Sequence, residues 1–225
     1  MPHNRWMADD RRVSPLRAVA AVGAMTAVAL VVAAVGEWLL LPSSTVRSWD
    51  EGGLARATDL LAGHPGLQDA AVTWAALSGP WVVHPLVLGI VLVLLARGRV
   101  APRALLVVAV GVLGWWLGTV CKRMVERPRP AEAVVEVGSW AYPSGHATNI
   151  ALAAVLVIAL TATIGAGWIR WGTTVLAIVC VVVTAADRLV LGVHHPSDVL
   201  AGLLLGTGMA VAGLTILRPL PSARP

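Results

Sequence analysis

Charge is what this chain has least of: Asp, Glu, Lys and Arg make up 13% of its 225 residues, against 57% apolar ones. Val, Ala and Leu recur in runs near the length that crosses a bilayer, so an integral membrane protein is expected. Cysteine is scarce too. Cys121 and Cys180 lie inside or at the end of apolar runs, which excludes a disulfide framework or a cysteine metal site and leaves two small buried hydrophobes. No repeat or low-complexity segment stands out, so one helical bundle is expected rather than two domains. The formal charge of +5 invites a nucleic-acid reading. The Lys and Arg residues, however, sit in short segments between apolar runs, where the positive-inside rule accounts for most of them, and no nucleic-acid partner is expected.

What is present is a succession of apolar runs. Residues 1–17 form a polar, basic tail (Arg5, Arg11, Arg12, Arg17), and the run from Ala18 to about Leu41, broken by Glu37 and ended by Pro42, reads as the first span. A cleaved signal peptide competes for that stretch, although the run exceeds a signal's usual apolar length. Residues 42–79 carry mixed charge, with Leu54, Leu60, Leu61, Val72 and Trp74 as apolar faces, and suit short interfacial helices. Further spans are expected from about Pro80 to Ala96, Ala104 to Cys121, Ala147 to Ile164, Gly172 to Ala186 and Ser197 to Leu217. The fold class is therefore all-α: six transmembrane helices in one bundle over residues 18–217, with a tail at 218–225. The basic residues of the tails and of the segments holding Arg97, Arg99, Arg103 and Arg170 fall on one side, expected to be cytoplasmic together with both termini. Trp38, Trp81, Trp140, Trp168 and Trp171 lie near span ends, as an aromatic belt requires. Gly202 and Gly206 have the spacing for close helix packing.

Polar residues gather in three clusters on the opposite, outer side. One runs from Lys122 to Pro130, one from Tyr142 to Thr148, and one from Asp187 to Asp198. In the second, Pro143 and Gly145 are turn residues and Ser144 suits an N-cap, so free N–H groups should point out of the next helix and favour an anion. Taken alone, that stretch reads equally well as a capped helix start. Together the clusters offer cations, imidazoles and a carboxylate, a combination suited to phosphoryl transfer, in which catalysis is mostly positioning and cationic stabilisation. Without an array of metal ligands, an imidazole can act as nucleophile if a carboxylate fixes its tautomer. His194 and Asp198, four apart at the start of a helix, fit that pairing, and His146 fits a general acid.

Lys122 followed after six residues by Arg129-Pro130, then Pro143-Ser144-Gly145-His146, then Arg188, five residues, His194, three residues and Asp198, resemble the three-part signature of the type 2 phosphatidic acid phosphatase family, related to vanadium-dependent haloperoxidases. The resemblance covers nearly the whole chain. It implies that Lys122, Arg129 and Arg188 bind the phosphate with Ser144 and the Gly145 backbone, that His194 forms a phosphohistidine oriented by Asp198, and that His146 protonates the leaving group. It implies no metal and no cofactor. It also selects Arg129 over Arg127 and His194 over His195, which leaves Arg123 and Arg127 as interfacial anchors. One departure is Asp187, where the family often has Ser; its carboxylate can pair with Arg188 or repel the substrate. His64 and His84 match no motif and are read as structural, and the role of Glu37 is open.

The function expected is metal-independent hydrolysis of a lipid phosphate or diphosphate at the outer face of the cytoplasmic membrane. Undecaprenyl diphosphate, phosphatidylglycerol phosphate and phosphatidic acid all fit. A lipid phosphotransferase using the same intermediate is a close variant. A non-catalytic lipid-binding or scaffold protein of the same fold is the alternative from another class; haloperoxidase activity suits a soluble protein better than this one.

Overall fold

Eight α-helices carry most of the residues described, 13–61, 64–162 and 167–215, in this computed structural model. They are α1 (Pro15–Val35), α2 (Ser44–Asp59), α3 (Pro65–Leu77), α4 (Pro80–Ala96), α5 (Leu105–Val125), α6 (Gly145–Thr161), α7 (Gly167–Val190) and α8 (Pro196–Leu214). The ends of two expected spans, at Ile164 and Leu217, and most of both tails lie outside the described residues.

By length and composition, the stretches Pro15–Leu40, Pro102–Val125, Gly167–Val190 and Pro196–Leu214 can each cross a membrane. A fifth crossing arises if α3 and α4, bent by 53° at their junction, count as one. Helix α6, at 17 residues, is apolar but shorter. The protein is thus an all-helical, multi-pass membrane protein with four or five candidate spans among the described residues. The mixed-charge stretch does become helical, as α2 and α3.

Two helices run further than composition suggests, and both extensions matter. Helix α5 continues past Cys121 to Val125, so Lys122 and Arg123 stand in its last turn, where cations complement the carbonyl end of the dipole. It stops at Glu126, whose φ of 47° is left-handed, two residues ahead of Pro128. Helix α7 continues past Ala186, which places Asp187 and Arg188 on helix rather than loop. The turn after it depends on Gly192: its φ is +67°, and a Cβ there would sit 2.7 Å from the Glu132 carbonyl oxygen.

Helix α8 is the most buried span, whereas α7 turns Val175, Leu176, Ile178, Val179 and Val182 outward. Gly202 and Gly206 let α8 lie directly on α6: a Cβ at Gly202 would be 2.5 Å from the Ser144 carbonyl oxygen, and one at Gly206 would run into the Thr148 carbonyl. Helix α1 ends in a π-helical turn, Gly36–Leu40, with the exposed Glu37 in it. Gly36 leaves room for the ring of Tyr142, whose hydroxyl donates to the Val32 carbonyl at 2.9 Å. Burial pushes the Tyr142 phenol up, so it remains a neutral donor. The ends of α5 and α7 and the starts of α6 and α8 thereby meet at one end of the bundle. At the other end Arg17 Nη2 donates to the Thr215 carbonyl at 2.8 Å.

Candidate active site

Ser144 anchors the site. It is the extended N-cap residue of α6, its N–H donates to the Asp198 carbonyl at 2.9 Å, and its carbonyl accepts the Thr148 N–H at 2.9 Å and the Thr148 hydroxyl at 2.8 Å. The second and third polar clusters are therefore stitched together through backbone. The Ser144 hydroxyl makes no cap bond and is buried without a partner, a donor left for a ligand. The N–H groups of Gly145, His146 and Ala147 precede the first intrahelical bond of α6. Lys122 lies beside them, its Cε 3.4 Å from where a Gly145 Cβ would stand, and its Nζ donates to the Trp140 carbonyl at 2.7 Å.

Arg129 reaches the same place, its Nη2 lying 3.4 Å from the Trp140 carbonyl that Lys122 also bonds. Backbone carbonyls hold its guanidinium, Ser139 through Nε at 2.7 Å and Val193 through Nη1 at 2.6 Å. Nη1 also lies 3.2 Å from His194 Nε2. A guanidinium only donates, so Nε2 is the unprotonated nitrogen and the ring proton sits on Nδ1, facing Asp198. Burial and the charge of Arg188 pull Arg129 down to about 10, with Asp198 opposing, and it stays cationic at neutral pH. Cavities of about 650 Å³, against Lys122, Arg123 and Trp140, and about 510 Å³, against Glu51, Thr58 and His195, both border Arg129.

The partner of His194 is less simply placed than its spacing suggests. Asp198 Oδ2 is 3.7 Å from His194 Nδ1, beyond hydrogen-bond distance, and Nδ1 is buried without another partner. Asp198 instead closes the start of α8 as a capping box, accepting the His195 N–H at 2.8 Å and facing His195 Nδ1 at 3.3 Å. Its other oxygen takes Arg127 Nη1 at 2.6 Å. Arg127 is thus no interfacial anchor, which corrects the expectation drawn from spacing. It also donates to Asp50 at 2.8 Å and to the Ser197 hydroxyl at 2.8 Å, while Asp50 accepts the Ser197 N–H at 2.8 Å and hydroxyl at 2.6 Å. Asp50, Arg127 and Ser197 escaped the sequence reading. The available signal was Asp50 itself, a carboxylate three residues before Gly53, whose Cβ would lie 2.7 Å from Pro196 Cγ.

His146 stands at the α3 side of the site. Its Nε2 is 3.1 Å from the Ala75 carbonyl, which only accepts, so Nε2 carries the proton. Arg188, Lys122 and Arg129 are all near enough to bear on its charge. Arg188 is paired with Asp187, whose Oδ2 takes both its Nε and its Nη2; of the two readings for Asp187, the pairing is the one observed. His84, matched to no motif, is bonded to Asn149 Oδ1 at 3.0 Å, and Asn149 Nδ2 donates to the Gly145 carbonyl at 2.8 Å.

Burial is the main reason His194 is pushed down to about 3; Lys122 and Arg129 add to it and Asp198 opposes. The imidazole is therefore neutral, with Nε2 unprotonated, throughout the physiological range. Because the folded value lies below the ordinary 6.5, the unfolded chain binds the proton more readily between the two. The stability His194 contributes is present above about pH 6.5 and is lost as pH falls toward 3. Acidification from pH 7.5 to 5 should lower the melting temperature of the detergent-solubilised protein more than that of His194→Gln; equal slopes would contradict this.

Comparison with known proteins gives concordant matches. A model of the PAP2 superfamily matches residues 102–220. The decaprenylphosphoryl-5-phosphoribose phosphatase of Mycobacterium tuberculosis is 34% identical over 95 residues, 40% of this chain and 48% of that protein, so the match spans about half the relative's length. The Mycolicibacterium smegmatis protein of the same name is 34% identical over 155 residues, 63% of this chain and 74% of the relative. A transmembrane PAP2-type phosphatidylglycerolphosphate phosphatase from Bacillus subtilis, known from its crystal structure, matches with a TM-score of 0.70 at 26% identity, covering 85% of this chain and 93% of that one.

Proposed function

This chain belongs to the PAP2 superfamily, and from that membership we propose that it is a lipid phosphatase that hydrolyses a phosphate or diphosphate head group through a phosphohistidine on His194. The observation that carries the reading is the facing of the unprotonated His194 Nε2 and the Arg129 guanidinium, at 3.2 Å. Lys122, Arg129 and Arg188 hold the phosphoryl oxygens with the Ser144 hydroxyl and the first N–H groups of α6. His194 Nε2 attacks phosphorus as the bond to the lipid oxygen breaks, and that oxygen takes the Nε2 proton of His146 in its imidazolium form, which the negative charge of the bound phosphate favours, leaving a neutral imidazole. Water then attacks the phosphorus of the P–N bond with its proton passing to His146, which releases inorganic phosphate and regenerates His194. Asp198 supports the positive charge that develops on the His194 ring.

The chain crosses the cytoplasmic membrane six times, α4 and α6 included, with α2 and α3 at the interface. Both termini face the cytoplasm and the site opens outside. The basic residues Arg97, Arg99, Arg103 and Arg170 lie at the end of the bundle away from the site, which supports this orientation. Candidate substrates are undecaprenyl diphosphate, phosphatidylglycerol phosphate, phosphatidic acid and, from the mycobacterial relatives, decaprenylphosphoryl-5-phosphoribose. Phosphate release from these four, with and without excess chelator, tests the reading. One preferred lipid, hydrolysed at the same rate with chelator, is expected. Release from none, or a chelator-killed rate restored by magnesium, would overturn it; label moving from one lipid to another would identify a phosphotransferase.

A further inference from the structure

We propose that Asp50 and Arg127 are positioning residues that act through Asp198, so that α2 forms part of the catalytic apparatus; this rests on the reading of His194 as nucleophile. Arg127 lies between two buried carboxylates, with 12% of its side chain exposed against 1% for Asp50 and 0% for Asp198. Nη2 bonds Asp50 at 2.8 Å and Nη1 bonds Asp198 at 2.6 Å. Ser197 closes the ring, donating its hydroxyl to Asp50 and accepting from Arg127.

The charges alternate along this chain. Asp50, Arg127 and Asp198 together carry one net negative charge, and the next group in line, His194, gains positive charge as its Nε2 bonds to phosphorus. Asp198 meets His194 only at 3.7 Å, so Arg127 and the His195 N–H, rather than His194, fix where the carboxylate sits. Were Arg127 paired with Asp198 alone, its full charge would offset the carboxylate that His194 needs. Sharing Arg127 with Asp50 leaves Asp198 able to support the imidazole. A simple clamp between α2 and α8 would also bury these groups, since Gly53 already brings α2 against Pro196. It would not make the effect of Asp50 depend on Asp198.

That dependence is the test. Asp50→Asn, Asp198→Asn and the double variant are purified in detergent, and phosphatidic acid turnover is measured together with inhibition by inorganic phosphate, which reads the cationic cradle directly. Asp50→Asn should lower kcat about tenfold, with the inhibition constant for phosphate held within about threefold. In the Asp198→Asn background the same change should alter kcat by less than about twofold. Equal losses in both backgrounds, or a lowered melting temperature with kcat unchanged, would overturn the proposal in favour of a clamp while leaving the phosphatase reading intact. If Asp198→Asn alone turns over within about threefold of the parent, the role of Asp198 falls and this proposal with it. Should Asp50→Asn fail to fold, Arg127→Lys keeps a cation between the carboxylates but cannot span both. It should show the same background-dependent loss in kcat, and its absence would count equally against the proposal.

Discussion

His194→Ala should reduce turnover by at least about 10⁴-fold, the scale on which losing a covalent nucleophile is felt when the rest of the site survives. The arrangement offers no obvious substitute. His195 is the adjacent imidazole, but its Nδ1 faces Asp198 at 3.3 Å and its N–H is committed to the same carboxylate. The unprotonated His194 Nε2 is the ring nitrogen set against Arg129. Inorganic phosphate should still inhibit the variant's residual activity, because Lys122, Arg129, Ser144 and Arg188 remain. Activity within a few-fold of the parent would remove His194 from the mechanism.

The second large effect concerns His146, and its signature is a dependence on the leaving group. A lipid alcohol is a poor leaving group that needs a proton as the ester bond breaks, whereas p-nitrophenolate departs without one. His146→Ala should therefore cost on the order of 10²- to 10⁴-fold with phosphatidic acid and much less in the phosphorylation step with p-nitrophenyl phosphate. The protonated Nε2 sits 3.1 Å from the Ala75 carbonyl, a hydrogen bond it would have to exchange for the lipid oxygen in that role. Equal losses with both substrates would show that His146 acts in some other way.

Much of the candidate site is legible in the sequence because its residues lie at short spacings. Six residues separate Lys122 from Arg129, and three separate His194 from Asp198, so a linear reading finds them. What it missed is carried by contacts distant in the chain. Asp50 meets Ser197 across 147 positions and Arg127 across 77, and neither pairing leaves a periodic trace. Arg127 was set aside for Arg129, two residues on, because a linear pattern cannot show which side of Pro128 faces Asp50 and Asp198. The helix ends of α5 and α7 were misjudged for a related reason. Charged residues mark the close of an apolar run in composition, yet Lys122 and Arg188 remain on helix because a basic last turn suits the helix dipole and Asp187 pairs with Arg188. The close approach of α6 and α8, by contrast, follows directly from the four-residue spacing of Gly202 and Gly206.

The proposed mechanism turns on a covalent bond from phosphorus to His194. Brief mixing with phosphatidic acid labelled in its phosphate, followed by a denaturing quench at high pH and peptide mapping, reads that bond directly, since a phosphohistidine survives alkali and is cleaved by acid. Alkali-stable, acid-labile label is expected on the peptide holding His194, and none in His194→Ala. Label on another residue, or single-turnover release of phosphate with no labelled protein at any time, would contradict it.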